Sequence, residues 1–112
     1  PRRRAVAATT SSTAARLRPH ARSAASLLKA LANEQRLMIL CNLSEGELSV
    51  GELNERLPLS QSALSQHLAV LREQGIVDTR REAQVVHYSL RPGAAAQVVG
   101  LLHDLYCGTG KR

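Results

Sequence analysis

Two sets of side chains in this sequence could do chemistry. The first is a run of short hydrogen-bonding groups, Gln61, Ser62, Ser65, Gln66 and Arg72, with the small Ala69 among them. Donors and acceptors of this size can reach base edges without blocking a groove, so the set is a candidate for reading the DNA major groove. A Ser/Gln-rich solvated surface is the plain alternative. The second set is a pair of thiols, Cys41 and Cys107, 66 positions apart. A thiolate is a nucleophile and can be oxidised. Separation in sequence says nothing about whether two thiols meet, and a buried free cysteine usually behaves as a small hydrophobe.

The polar set needs a platform. Residues 59–77, LSQSALSQHLAVLREQGIV, read as one helix with Ser60 placed to cap its start and Gly75 at the position that favours a left-handed residue. Leu64, Leu68 and Leu71 fall at i, i+4 and i+7, so one side is apolar and packs inward. Ser62, Ser65, Gln66 and His67 are the expected readers of bases or phosphates, and Gln61 stands beside the free N–H groups of the helix start.

The chain of 112 residues is long enough for one domain, with 44% hydrophobic residues for a core. Phe and Trp are absent and Tyr88 and Tyr106 are its two tyrosines, so the core is aliphatic and small. A domain of this size often gains burial by dimerising. The net charge is +6, but Arg2, Arg3, Arg4, Arg16, Arg18 and Arg22 precede any acid, while residues 23–112 carry nine basic and nine acidic side chains. Any nucleic-acid affinity of the neutral part must therefore come from local arrangement, with the tail adding salt-sensitive phosphate attraction. No run of about 18 apolar residues is present, and the stretch AVAATTSSTAA lacks the apolar centre of a secretory signal. The expected location is the cytoplasm, where the two cysteines rest as thiols.

In chain order, residues 1–18 read as a disordered basic tail, 19–107 as the folded domain and 108–112 as a flexible end. A first helix is expected over 19–32, with Ala24, Leu27, Leu28 and Leu31 on one stripe. Asn33 caps a second, strongly apolar helix over 34–43, and Ser49 and Glu52 form a capping box for a short third helix to about Leu57. Pro58 stops that helix before Ser60 starts the next. Beyond Gly75 the period changes to alternation, giving strands over 76–82 and 85–90 about Ala83-Gln84. Pro92 permits a last helix from Gly93 to about Tyr106, with Val98, Leu101, Leu102 and Leu105 as its stripe.

Four helices, a hairpin and a closing helix make a mainly α, α+β arrangement: a helix-turn-helix followed by a wing. Such a fold places the fourth helix in the major groove and the wing on phosphates or in the minor groove. Arg80, Arg81 and the tip residue Gln84 are the wing's candidate DNA contacts. An ordinary solvated hairpin, partly neutralised by Glu82, is the alternative for those arginines.

The RLMIL run, ELSVGEL, and SQSALSQHLAVLREQGIV followed by R-x-A-Q-x-V-x-Y-S-L together resemble the ArsR/SmtB family of winged-helix repressors over roughly residues 23–107. The resemblance implies a homodimer through the first and last helices, binding an inverted-repeat operator until an inducer releases it. It also allows the family's metal sites to be checked. The Cys-x-Cys of its thiophilic-metal sensors corresponds to Ser49 and Gly51, and the Asp/His pairs of its zinc sensors reduce to adjacent His103 and Asp104. His20, His67, His87 and His103 show no ligand spacing, so neither metal nor cofactor is expected. Cys41 and Cys107 are similar to the matched cysteines of the family's sulfide-responsive branch. That likeness implies a dithiol switch oxidised by persulfide or polysulfide to a disulfide or a longer sulfur bridge. A regulator answering general oxidants, or one that displaces other DNA-binding proteins without a sulfur inducer, is the alternative. A dithiol redox enzyme is disfavoured, since Cys-x-x-Cys, a glycine-rich cofactor loop and a nucleophile–base motif are all missing.

Overall fold

The computed structural model describes residues 12–108. Its first helix starts earlier than expected. Ser12 accepts from the Ala15 N–H at 3.1 Å and opens α1, Thr13–Leu17, so the irregular tail expected through residue 18 gives way to helix at its inner end. The physical reason is a side-chain cap followed by good helix formers, Ala14, Ala15, Arg16 and Leu17. The remainder of that expected tail, residues 1–11, and the end beyond Gly108 lie outside the described residues.

A 3-10 turn at Arg18–His20, with Pro19 where no N–H is needed, leads into α2, Ala21–Leu31. Asn33 accepts from Arg36 N–H at 3.0 Å and starts α3, Glu34–Leu43. After β1, Leu48–Ser49, the expected capping box closes on α4, Val50–Arg56: Glu52 N–H donates to Ser49 Oγ at 3.1 Å and Ser49 N–H to Glu52 Oε1 at 2.8 Å. These bonds hold the Glu52 carboxyl below its ordinary range. Ser60 caps α5, Gln61–Glu73. That helix ends in a Schellman motif, with Ile76 N–H on Leu71 O at 2.9 Å, Gly75 N–H on Arg72 O at 3.0 Å and Gly75 at φ +71°. Then follow β2, Val77–Glu82, β3, Val85–Leu90, and α6, Ala94–Cys107.

The strands form one antiparallel sheet in the order β1-β3-β2, with Leu48 opposite Tyr88 and Arg80 opposite His87. Ala83 at φ +58° starts the two-residue wing turn; positive φ at the first turn position alone is the II′ pattern. The core is aliphatic, as composition demanded. Ile39, Leu40, Leu53, Leu64, Leu68 and Leu71 are shut off from solvent, and no polar side chain is buried among the described residues. The core therefore joins α3, α4 and α5, while Ala30, Leu31, Ala95 and Val99 dock α2 and α6 onto it. Leu28, Leu101, Leu105 and Tyr106, on α2 and α6, stay exposed.

Candidate nucleic-acid interface and thiol pair

On α5 the leucines at 64, 68 and 71 are buried, and helical spacing turns Gln61, Ser62, Ser65, Gln66, Ala69 and Arg72 outward, where all six are exposed. His67 departs from this group. It is half-buried, with Nδ1 3.3 Å from Arg36 Nη1 on α3. A guanidinium only donates, so this bond needs a lone pair on Nδ1 and leaves the proton of a neutral ring on Nε2. Arg36 also donates from Nε to Ala30 O at 2.6 Å and from Nη2 to Lys29 O at 3.3 Å, closing the carbonyl end of α2. One side chain thus joins α2, α3 and α5. Sequence reasoning missed it, because an arginine inside an apolar run carries no sign of such a role.

The wing separates two arginines that the sequence put on a par. Arg80 is clamped by Glu47, with Nη2 at 2.7 Å and Nε at 3.0 Å from its two carboxylate oxygens, and Nη1 lies 3.4 Å from Glu82. The bond from Arg80 holds the Glu47 carboxyl below its ordinary range and keeps the guanidinium more firmly protonated. As a candidate DNA contact, Arg80 therefore carries a charge that is already paired with Glu47 in the free chain. Arg81 is exposed, lies on the opposite face of β2, and has no ion-pair partner among the described residues. Gln84 at the tip and Gln61 at the start of α5 line one groove, together with Ser49, Val50, Gly51 and Asn54. Tyr88, unforeseen as a site residue, lines a second with Ser65, Ala69 and Arg72. Among the described residues no cluster of three or more His, Cys, Asp or Glu side chains could hold a metal.

Both cysteines are free thiols, Cys41 half-buried and Cys107 exposed. Burial first, then Cys107, then Glu45 push the Cys41 thiol above its ordinary value. Cys41 opens into a groove of about 570 Å³ between α3 and α6, alongside Glu45, Gly100, His103 and Asp104. His103 lies one helical turn before Cys107.

Comparisons with known proteins bear on the same elements. The family model for bacterial regulatory proteins of the arsR family matches residues 33–79, from the cap of α3 into β2. The chain is 63% identical over 81 residues to the transcriptional activator HlyU of Vibrio cholerae, spanning 72% of this chain and 75% of that protein. It is 47% identical over 92 residues to the biofilm growth-associated repressor of Xylella fastidiosa, spanning 82% and 81%. The crystal structure of the transcriptional repressor BigR from Xylella fastidiosa matches with a TM-score of 0.78 at 45% identity, covering 85% of this chain and 97% of that one.

Proposed function

The chain belongs to the arsR family of bacterial regulatory proteins, and from that membership we propose that it is a cytoplasmic homodimeric repressor whose operator affinity is set by the Cys41–Cys107 pair. The DNA-binding part of this reading is the family's own. The observation that carries the particular surface is the outer face of α5, where Gln61, Ser62, Ser65 and Gln66 stand exposed over a buried leucine stripe. These side chains address base edges, and Arg72, Arg81 and Gln84 address the flanking backbone. His67 acts from behind, seating α5 on Arg36.

The exposed apolar side chains of α2 and α6 support self-association, since Leu28, Leu101 and Leu105 are all more than half exposed in the single chain. A two-fold dimer sets its two α5 helices about one DNA turn apart and reads an inverted repeat.

The thiols supply the switch. A thiolate attacks a sulfane sulfur of hydrogen disulfide, HS–SH, giving a protein persulfide and releasing hydrosulfide. The second thiolate then attacks the inner sulfur of that persulfide, forming the Cys41–Cys107 disulfide and releasing a second hydrosulfide. The protein loses two electrons and the sulfur donor gains them. If both thiols are persulfidated before they couple, the bridge is longer, which relaxes the Cα separation of about 7 Å that bounds a direct disulfide. Either bridge ties α3, which supports α5, to α6, which builds the dimer. Couplings of this kind are typically about 1–3 kcal/mol, or 5–150-fold in affinity.

A gel shift on the gene's own upstream DNA tests the proposal. The reduced protein binds, polysulfide releases it, and Cys107→Ser binds but is not released; normal release of Cys107→Ser discards the switch. Mass spectrometry after polysulfide or peroxide separates the sulfur-specific reading from its alternative, because an identical simple disulfide from both oxidants removes the selectivity. The 63%-identical relative is named as an activator, which bears on the direction of control and not on the inducer.

A further inference from the structure

Tyr88 stands where the wing meets the reading helix. It lies opposite Leu48 in the β1–β3 pairing and opposite Thr79 in the β2–β3 pairing, so its side chain shares the inner face of the sheet with the buried Leu48. The ring is half-buried and packs against the aliphatic core. The hydroxyl at its tip has no hydrogen-bond partner among the described residues and is open to solvent. Because packing already orders the ring, placing that hydroxyl on a ligand costs little further side-chain entropy.

The groove around Tyr88, about 500 Å³, is completed by Ser65, Ala69, Arg72 and Glu73 of α5. Ala69 is the small side chain of that row and leaves room between Ser65 and Arg72. Two residues along β3 and on the same face, Val86 lines the neighbouring groove at Gln61, so β3 runs alongside α5 with Tyr88 beside the later turns of the helix. Arg81 is paired opposite Val86 and shares this face. Base edges are met mainly by the first residues of a reading helix, and the space between its later turns and a wing is left to the sugar–phosphate strand. Arg72 and Glu73 offset each other there, both exposed and adjacent in sequence. A phosphate in this groove is therefore held by neutral donors more than by net charge.

We propose that the Tyr88 hydroxyl donates a hydrogen bond to a non-bridging phosphate oxygen of the operator, fixing how deeply α5 sits in the major groove through a contact that carries no charge. The inference rests on the DNA-binding reading of α5 and gives β3 a part in it. Arg72 and Arg81 attract DNA from a distance and lose strength with salt. Tyr88 acts only at contact, through an O–H bond strengthened by its anionic acceptor.

Fluorescence anisotropy of the full, reduced chain on the gene's own upstream DNA tests this. Tyr88→Phe keeps the ring and removes the donor, so urea titration should return wild-type stability while operator affinity falls roughly tenfold, the scale of one hydrogen bond to a charged group. The slope of log affinity against log salt should stay at the wild-type value, because no cation is lost, whereas Arg72→Ala should lower it by about one phosphate contact. Duplexes carrying a neutral methylphosphonate at one phosphate after another locate the acceptor. The wild-type chain should lose affinity at a set of positions, and Tyr88→Phe should become insensitive at one of them in each half-site while keeping the rest, the signature of a coupled pair. A ring with a purely structural role would leave that map unchanged. Wild-type affinity in Tyr88→Phe, an affinity loss that tracks an equal loss of stability, or a map with every position retained would each overturn the contact. The two readings fail differently: a wild-type chain that binds none of its upstream DNA removes the DNA-binding reading and Tyr88 with it, while wild-type binding matched by Tyr88→Phe removes the Tyr88 contact alone.

Discussion

Helices α5 and α6 are both anchored by a buried face, yet they finish differently. α5 buries Leu64, Leu68 and Leu71 and turns short polar side chains to solvent. α6 buries only Ala95 and Val99, a small footprint, and turns Leu101, Leu105 and Tyr106 outward at 56%, 58% and 82% exposure. The first helix is complete within one chain, and its free face suits a polar, grooved ligand. The second leaves apolar area in water, each Å² of which would gain roughly 25 cal/mol on burial. Stability and assembly are therefore assigned to different helices, and they should be separable by substitution.

Leu64→Ala breaks that division most strongly. With Leu64 wholly buried, its truncation should lower the unfolding free energy by about 2–5 kcal/mol in urea titration. Leu101→Ala, at 56% exposure, should change the stability of the single chain by less than about 0.5 kcal/mol while weakening self-association in sedimentation. Comparable losses of single-chain stability from the two would mean that α6 is as complete as α5.

Arg36→Ala comes next in size. It strips the donors from Ala30 O, Lys29 O and His67 Nδ1, a loss of about 1–3 kcal/mol if those acceptors stay dry. Operator affinity should fall with it, because α5 loses its tie to α3. Arg36→Lys should recover little of either, since an ammonium lacks the planar fork. Unchanged stability and affinity in Arg36→Ala would show that α5 is seated by its leucines alone.

On the DNA side, the two wing arginines sharpen what an exposed polar surface means. Arg81→Ala should reduce the slope of log affinity against log salt by about one phosphate contact, and Arg80→Ala by less, because Glu47 already neutralises Arg80. Glu47→Gln should free Arg80 and steepen the slope in fluorescence anisotropy. Equal slopes for the two alanine variants would mean that the Glu47 pair does not keep Arg80 from phosphate.

How much of this was legible depended on how local the physics is. The caps Asn33, Ser49 and Ser60, the left-handed Gly75 and the hairpin about Ala83-Gln84 each act within a few residues, and the structure bears them out. The buried side of α5 was legible for the same reason. What could not be read acts across the fold. Glu47 lies in a stretch that reads as a helix stop, and its partner Arg80 is 33 positions away. Arg36 reaches backbone carbonyls of another helix, which depends on a packing angle and on no sequence period. Strand β1 has two residues, too few to show alternation, and α1 hides in a Ser/Thr/Ala/Arg composition resembling that of a tail. His67 joined the readers by helical proximity, although its place on the wheel turns it towards α3.

The smallest effect lies on the thiol side of α6 and concerns pH. Burial, Cys107 and Glu45 all raise the Cys41 thiol above its ordinary value, in that order of size. The folded chain therefore favours the neutral thiol more than the unfolded chain does. The resulting stability is complete below the unfolded value and is lost as pH rises through the folded one, so Cys41→Ala should flatten the alkaline limb of the stability curve. In alkylation followed by mass spectrometry, the Cys41 rate in the wild-type chain should reach half its maximum at a higher pH than that of a free cysteine peptide. Cys107→Ser removes the second contribution and should move that midpoint partway down, while Glu45→Gln moves it less. Burial, the largest contribution, remains in both variants, so neither should bring the midpoint fully to the free-thiol value. A midpoint at or below that of a free cysteine peptide would mean that the groove does not shield Cys41. A midpoint unmoved by Cys107→Ser would mean that α6 does not hold its thiol near enough for the two to act as one switch.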